Sequence, residues 1–218
     1  MNGSELVDEV LDIVSDPSIT RDKALGMLNR GMSYVAGQVL LPGLATGVGR
    51  VTTSIGQNSS PLPADYQREI FWARVAGEPV AIYANLGVML ADGFSLELQA
   101  GRVLAIVPNG GDLIYQLTPT EPTDIDIRYY RLPIPMQDKR SSMPDGLGNS
   151  PGMIDAYDQT LIHYGCWRLY ERIEQGLEGG KVDSQYHEGQ CRAELIKLEA
   201  AVRKERPRQP PPVCEVRY

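Results

Sequence analysis

Apolar residues change their spacing twice along the chain, and the two changes mark three zones. In the first, apolar positions recur at helical intervals. Leu6, Val10, Leu11, Ile13 and Val14 follow Ser4, a residue type suited to capping a helix. Asp16-Pro17-Ser18 breaks the pattern. Thr20 then caps a second helix, with Asp22 in the first turn, where the helix dipole favours an acid. Ala24, Leu25, Leu28, Met32, Val35 and Val39 make its apolar stripe, and Pro42-Gly43 stops it. Two short antiparallel helices are predicted.

The second zone alternates. Residues 48–55 form one candidate strand. Residues 70–75 form another, entered through Pro61-Leu62-Pro63 and left at Gly77-Glu78-Pro79. Residues 102–107 and 113–117 flank Asn109-Gly110-Gly111-Asp112 and read as a hairpin, because Asn-Gly supplies the positive φ of a tight turn. Ile125, Ile127, Tyr129 and Arg131 share one face of a last strand that ends at Pro133. The pattern predicts a small antiparallel sheet or barrel.

Helical spacing returns after a loop at residues 137–150. Ser150-Pro151 opens a helix with Pro at its first position. Ile154, Tyr157, Leu161, Tyr164 and Gly165 form its stripe, extended by Trp167, Leu169 and Ile173, and Gly176 and Gly179-Gly180 end it. In the final helix Val182, Tyr186, Gly189, Ala193, Ile196 and Ala200 follow alternating steps of four and three, a seam suited to packing on another helix. Tyr157, Leu161, Tyr164, Val182, Tyr186 and Ile196 are the residues assigned to helix packing. The fold class is therefore α+β. Residues 1–44 and 137–205 form a helical bundle, 45–136 an inserted antiparallel β domain, and 206–218 an extended C-terminal docking tail. In that tail Pro207 and Pro210-Pro211-Pro212 forbid helix, while Val213, Val216 and Tyr218 have no local core to join.

The formal net charge of −7 argues against wrapping DNA, which needs a basic excess. An acidic wall is compatible with a duplex that passes by without sticking. No apolar run approaches the 18 or so residues of a membrane span. Residues 1–16 carry five acids and no base, unlike the basic opening of a secretory signal. Cys166, Cys191 and Cys214 are odd in number and far apart, which fits a reducing compartment and no zinc site.

Candidate chemistry is thin. Cys166 follows His163 by three residues, a spacing at which the two side chains meet on a helix, with no third group to orient them. His187 and Glu188 are adjacent on a helix and do not face each other. Gly47-Val48-Gly49 lacks the Lys-Ser/Thr of a phosphate loop. Asp124 and Asp126 alternate on one strand face, the pattern of a solvated edge. No residue is assigned to catalysis, to a metal or to a cofactor.

Two segments carry a resemblance. One is Leu62-Pro63-Ala64-Asp65-Tyr66, leading into a strand. The other runs through Tyr129-Tyr130-Arg131-Leu132-Pro133-Ile134-Pro135-Met136 and Met143-Pro144-Asp145-Gly146-Leu147 to the helix containing Leu161-Ile162-His163-Tyr164-Gly165-Cys166-Trp167. Asp16-Pro17, Thr20, Ala24-Leu25 and Leu28-Asn29 precede them. In this order the chain resembles the head-to-tail adaptor (head-completion, or connector) proteins of tailed bacteriophages. The resemblance implies a non-enzymatic structural protein of the virion neck, present in the host cytoplasm during assembly. It implies a ring of copies, usually dodecameric, that binds the portal protein, extends the DNA channel and offers the tail or nozzle protein a platform. Genomic DNA would be only passing cargo, and no membrane is involved. Arg206, Arg208, Pro210, Pro211, Pro212, Val213, Val216 and Tyr218 are the residues expected to dock on portal or neighbour. The alternatives are a tail-completion or tail-terminator subunit and, further off, a Cys166/His163 hydrolase.

Overall fold

The computed structural model describes residues 1–95, 97–148, 150, 153–175, 182–205 and 216–217. The fold is α+β, and chain contacts divide it into two units. One holds residues 1–44 and 132–207, the other 45–131 and 208–218.

The first unit is helical. Helix α1 (Gly3–Val14) is capped by Asn2 and not by Ser4. The Asn2 side chain accepts from the Glu5 amide, and the Glu5 carboxylate accepts from the Asn2 amide, each near 3.0 Å. This reciprocal box satisfies two amides at once and starts the helix two residues earlier than a Ser4 cap allows. Helix α2 (Arg21–Gln38) starts at Thr20 as expected. Glycines let α4 (Ile154–Ile173) approach closely: a Cβ on Gly31 would stand 3.0 Å from the Tyr164 ring, and one on Gly165 3.3 Å from Val10. Leu6, Val7, Val10, Leu28, Met32, Val35, Tyr157, Leu161 and Leu169 are buried. Helix α4 begins later than Ser150-Pro151 predicts, with Met153 as its N-cap. The Ser150 carbonyl accepts from the Met153 amide, a turn that precedes the helix. Pro151, Gly176 and Gly179-Gly180 lie outside the described residues.

The second unit holds two sheets. In the first, β1 (Gly47–Thr52), β8 (Asp124–Arg131), β3 (Tyr66–Val75) and β4 (Glu78–Pro79) lie in that order, all antiparallel. In the second, the order is β2 (Ser59–Pro61), β7 (Asp112–Gln116), β6 (Ala105–Asn109), β5 (Ala81–Tyr83) and β9 (Val216–Arg217). The β6–β7 hairpin forms where Asn109-Gly110 predicts it, with Asn109 opposite Asp112 and Gly110 at φ +63°. The all-antiparallel expectation fails at β5, which pairs parallel with both β6 and β9. Parallel neighbours need a crossover, and the short helix α3 (Leu86–Ala91), capped by Asn85, lies in that connection. Six residues are too few for a helical period to show in sequence. Along β8, Ile125, Ile127 and Tyr129 are buried while Asp124 and Arg128 are exposed, so one face joins the core. Val51, Ile70, Val75, Ile106, Leu113 and Tyr115 complete that core.

Candidate functional site

The residues that carry the family resemblance build the fold. In the β unit, Tyr129 donates to Asp65 at 2.6 Å, and the Tyr66 ring lies 5.5 Å from the Tyr129 ring. Burial, then the Asp65 carboxylate, raises the Tyr129 pKa, so the phenol stays a donor. The same ring explains Gly47-Val48-Gly49. A Cβ on Gly47 would stand 2.6 Å from it, and one on Gly49 would stand 2.7 Å from Pro63 and 3.0 Å from Tyr129. These glycines make room for an aromatic ring. In the helical unit, the Asp145 side chain accepts from the Ile134 amide at 2.7 Å, and its carbonyl accepts from Tyr157 Oη at 2.7 Å. The Asn29 side chain donates to the Met136 carbonyl and accepts from its amide. The Pro-rich and Asp-Gly segments are thus pinned to helices α2 and α4.

The chemical candidates are arranged for packing. Cys166 is buried, and desolvation pushes its thiol up to about 12, far from a usable thiolate. His163 turns to another residue: its Nδ1 lies 3.0 Å from Nδ1 of His187 across the contact between α4 and α5 (Val182–Glu205). The Tyr170 ring stacks on His187, with an interplanar angle of 12°. Burial lowers both imidazole pKa values, and for His187 the His163 charge adds to it. Sequence reasoning missed this pair because its members lie on different helices, 24 positions apart, with no local pattern to join them. Asp124 and Asp126 are bound by Arg50: its Nε lies 2.9 Å from Asp126, its Nη1 3.4 Å from Asp124. That is a cross-strand ion pair on a solvated face, and the expected edge is not one, because β8 lies between β1 and β3. A cavity of about 440 Å³ beside the bulged part of β3 is lined by Tyr66, Arg68, Glu69, Phe71 and Tyr83. Among the described residues no cluster of three or more His, Cys, Asp or Glu could hold a metal. No described helix is long and apolar enough to cross a membrane.

The helix-packing residues fall into two groups. Tyr157, Leu161 and Tyr164 are buried in the helical unit. Val182, Tyr186 and Ile196 are exposed, because α5 turns a different face inward: Ser184, His187, Cys191, Leu198 and Val202. Ser184 is fixed there by Glu174, which accepts from its amide at 3.2 Å. Of the docking residues, Arg206, Arg208, Pro210, Pro211, Pro212, Val213 and Tyr218 lie outside the described residues. Val216 belongs to β9 and pairs with Ile82 at the edge of the second sheet.

The motifs are spent on folding, the nucleophile candidate is a buried thiol, and one stripe of α5 is open to solvent. The chain belongs to the SU10 adaptor protein family, whose model matches residues 1–213. No curated protein matches the chain. Family and resemblance agree on a structural adaptor of a phage.

Proposed function

We propose that this protein is the head-to-tail adaptor of a tailed phage, acting in the virion neck. Copies form a ring, dodecameric like those of the proteins it resembles, which binds the portal protein, extends the DNA channel and seats the tail or nozzle protein. The observation that carries this reading is the family match, which spans both units and runs into the tail at residue 213. The C-terminal residues are the proposed attachment: Arg206, Arg208, Pro210, Pro211, Pro212, Val213, Val216 and Tyr218. The net charge of −7 suits a channel wall, because it leaves passing DNA unbound.

The test is assembly on portals. Protein lacking residues 206–218 is expected to fold and to fail to join purified portals in electron micrographs. Normal attachment of the truncated protein would show that the tail does not dock. Co-sedimentation with tail components and never with portals would replace the adaptor reading with a tail-completion or tail-terminator subunit.

A further inference from the structure

Helix α5 has a second face that its own chain leaves open among the described residues. Val182, Tyr186, Gly189, Ala193, Ile196 and Ala200 all face solvent, and the three large ones are 69%, 59% and 68% exposed. At 1.5 Å per residue the stripe runs for about 27 Å. Its steps of four and three are those of one helix laid along another. Ser184, His187, Cys191, Leu198 and Val202 are the side spent on α4, so the open stripe is surplus to the fold.

Charge says what covers it. Residues 182–191 carry Asp183 and Glu188 and no Lys or Arg. Residues 192–205 carry Arg192, Lys197, Arg203 and Lys204 against Glu194, Glu199 and the terminal Glu205. A parallel copy of the helix would set acid on acid and base on base. An antiparallel copy sets each acidic half on a basic half and opposes the helix dipoles. Centred on residue 191, that register pairs Val182 with Ala200, Tyr186 with Ile196 and Gly189 with Ala193 of the second copy. It also brings Asp183 beside Lys197 of the second copy. Arg192 meets its own counterpart near the centre, where each is compensated by Glu188 of its own helix at 2.5 Å.

We propose that this stripe binds the same stripe of a second copy of the chain, antiparallel, as a closed two-fold pair. The proposal concerns the free chain before it joins a ring, whose contacts are head-to-tail, and it does not rest on the adaptor reading. One helix pair of this length buries roughly 600 Å² in total, small for a stable complex, so the pair is weak and concentration-dependent.

Sedimentation equilibrium of the full chain reads this directly. The mass is expected to climb from 24.0 kDa towards twice that value as concentration rises to about 1 mM. Ala193→Arg, which puts a long cation into the narrowest layer, is expected to hold the chain at one copy. Asp183→Lys and Lys197→Asp are each expected to weaken pairing roughly fivefold, and the double variant to restore it, because the ion pair is then reversed. Circular dichroism confirms that each exposed substitution keeps the helices. A mass fixed at 24.0 kDa, unchanged pairing in Ala193→Arg or no recovery in the double variant would each overturn the proposal.

Discussion

At the scale of single residues, the two histidines contribute to the molecule's response to acid. Their Nδ1 atoms share a 3.0 Å contact in which one ring must be neutral to accept, so the two cannot both be charged and keep it. Glu194 and Asp183 favour the charged forms of His163 and His187, but burial dominates and both pKa values are lowered. The unfolded imidazoles therefore take up protons first as pH falls below about 6.5, and the native state loses stability from there down to the lowered folded values. Urea midpoints are expected to drop between about pH 7.5 and pH 5. Asp158, whose carboxyl is raised by burial, acts in the opposite sense. Comparison with His163→Gln isolates the pair, since that variant should show a shallower fall. Cys166 is a packing residue, so Cys166→Ala should cost about 1 kcal/mol in stability, as a small buried truncation does, and leave assembly on portals intact. A phage carrying it that failed to assemble despite a folded product would return that thiol to the list of chemical candidates.

At the scale of elements, the tight turn from β3 to β4 is made by Ala76 and Gly77, at φ +50° and +83°. Both central positions of this hairpin need positive φ, and alanine tolerates that poorly. Ala76→Asn is expected to raise stability by about 1 kcal/mol, read as a higher melting temperature. In α1, Asn2→Ala removes the capping box and should cost about 1 kcal/mol in the same measurement. Elements with a strong local signal were legible from sequence. Thr20 capped a helix, Asn109-Gly110 made a hairpin and Ile125-Ile127-Tyr129 faced inward, each because a few adjacent residues decide it. Others depend on distant partners. Helix α3 and parallel β5 exist because of what lies on either side of them. The inward face of α5 is Ser184, His187 and Cys191, which no hydrophobic scale would choose over Tyr186 and Ile196. The candidate contact residues divide the same way: Tyr157, Leu161 and Tyr164 were readable as core, but which side of α5 faced water was not.

At the scale of the molecule, the acidic chain gives a plain expectation for DNA. Duplex DNA is expected to show no retention by the protein at about 150 mM salt in a mobility-shift assay, because the chain carries a net charge of −7. Tight, salt-sensitive binding would contradict the proposal that DNA is only passing cargo. The helical unit is discontinuous, with α1 and α2 separated from α4 and α5 by the 87 residues of 45–131. During synthesis the first two helices emerge long before the one they pack on. Closing a free loop of that length costs about 4 kcal/mol in chain entropy. The antiparallel pairing of β1 with β8 removes much of that cost, since it sets Gly47 opposite Tyr129 and so gathers the two ends of the insertion. The β unit is in this sense a stapler for the helices, and the order of events follows. In pulsed hydrogen exchange during refolding, amides of β1 and β8 are expected to gain protection before those of α1.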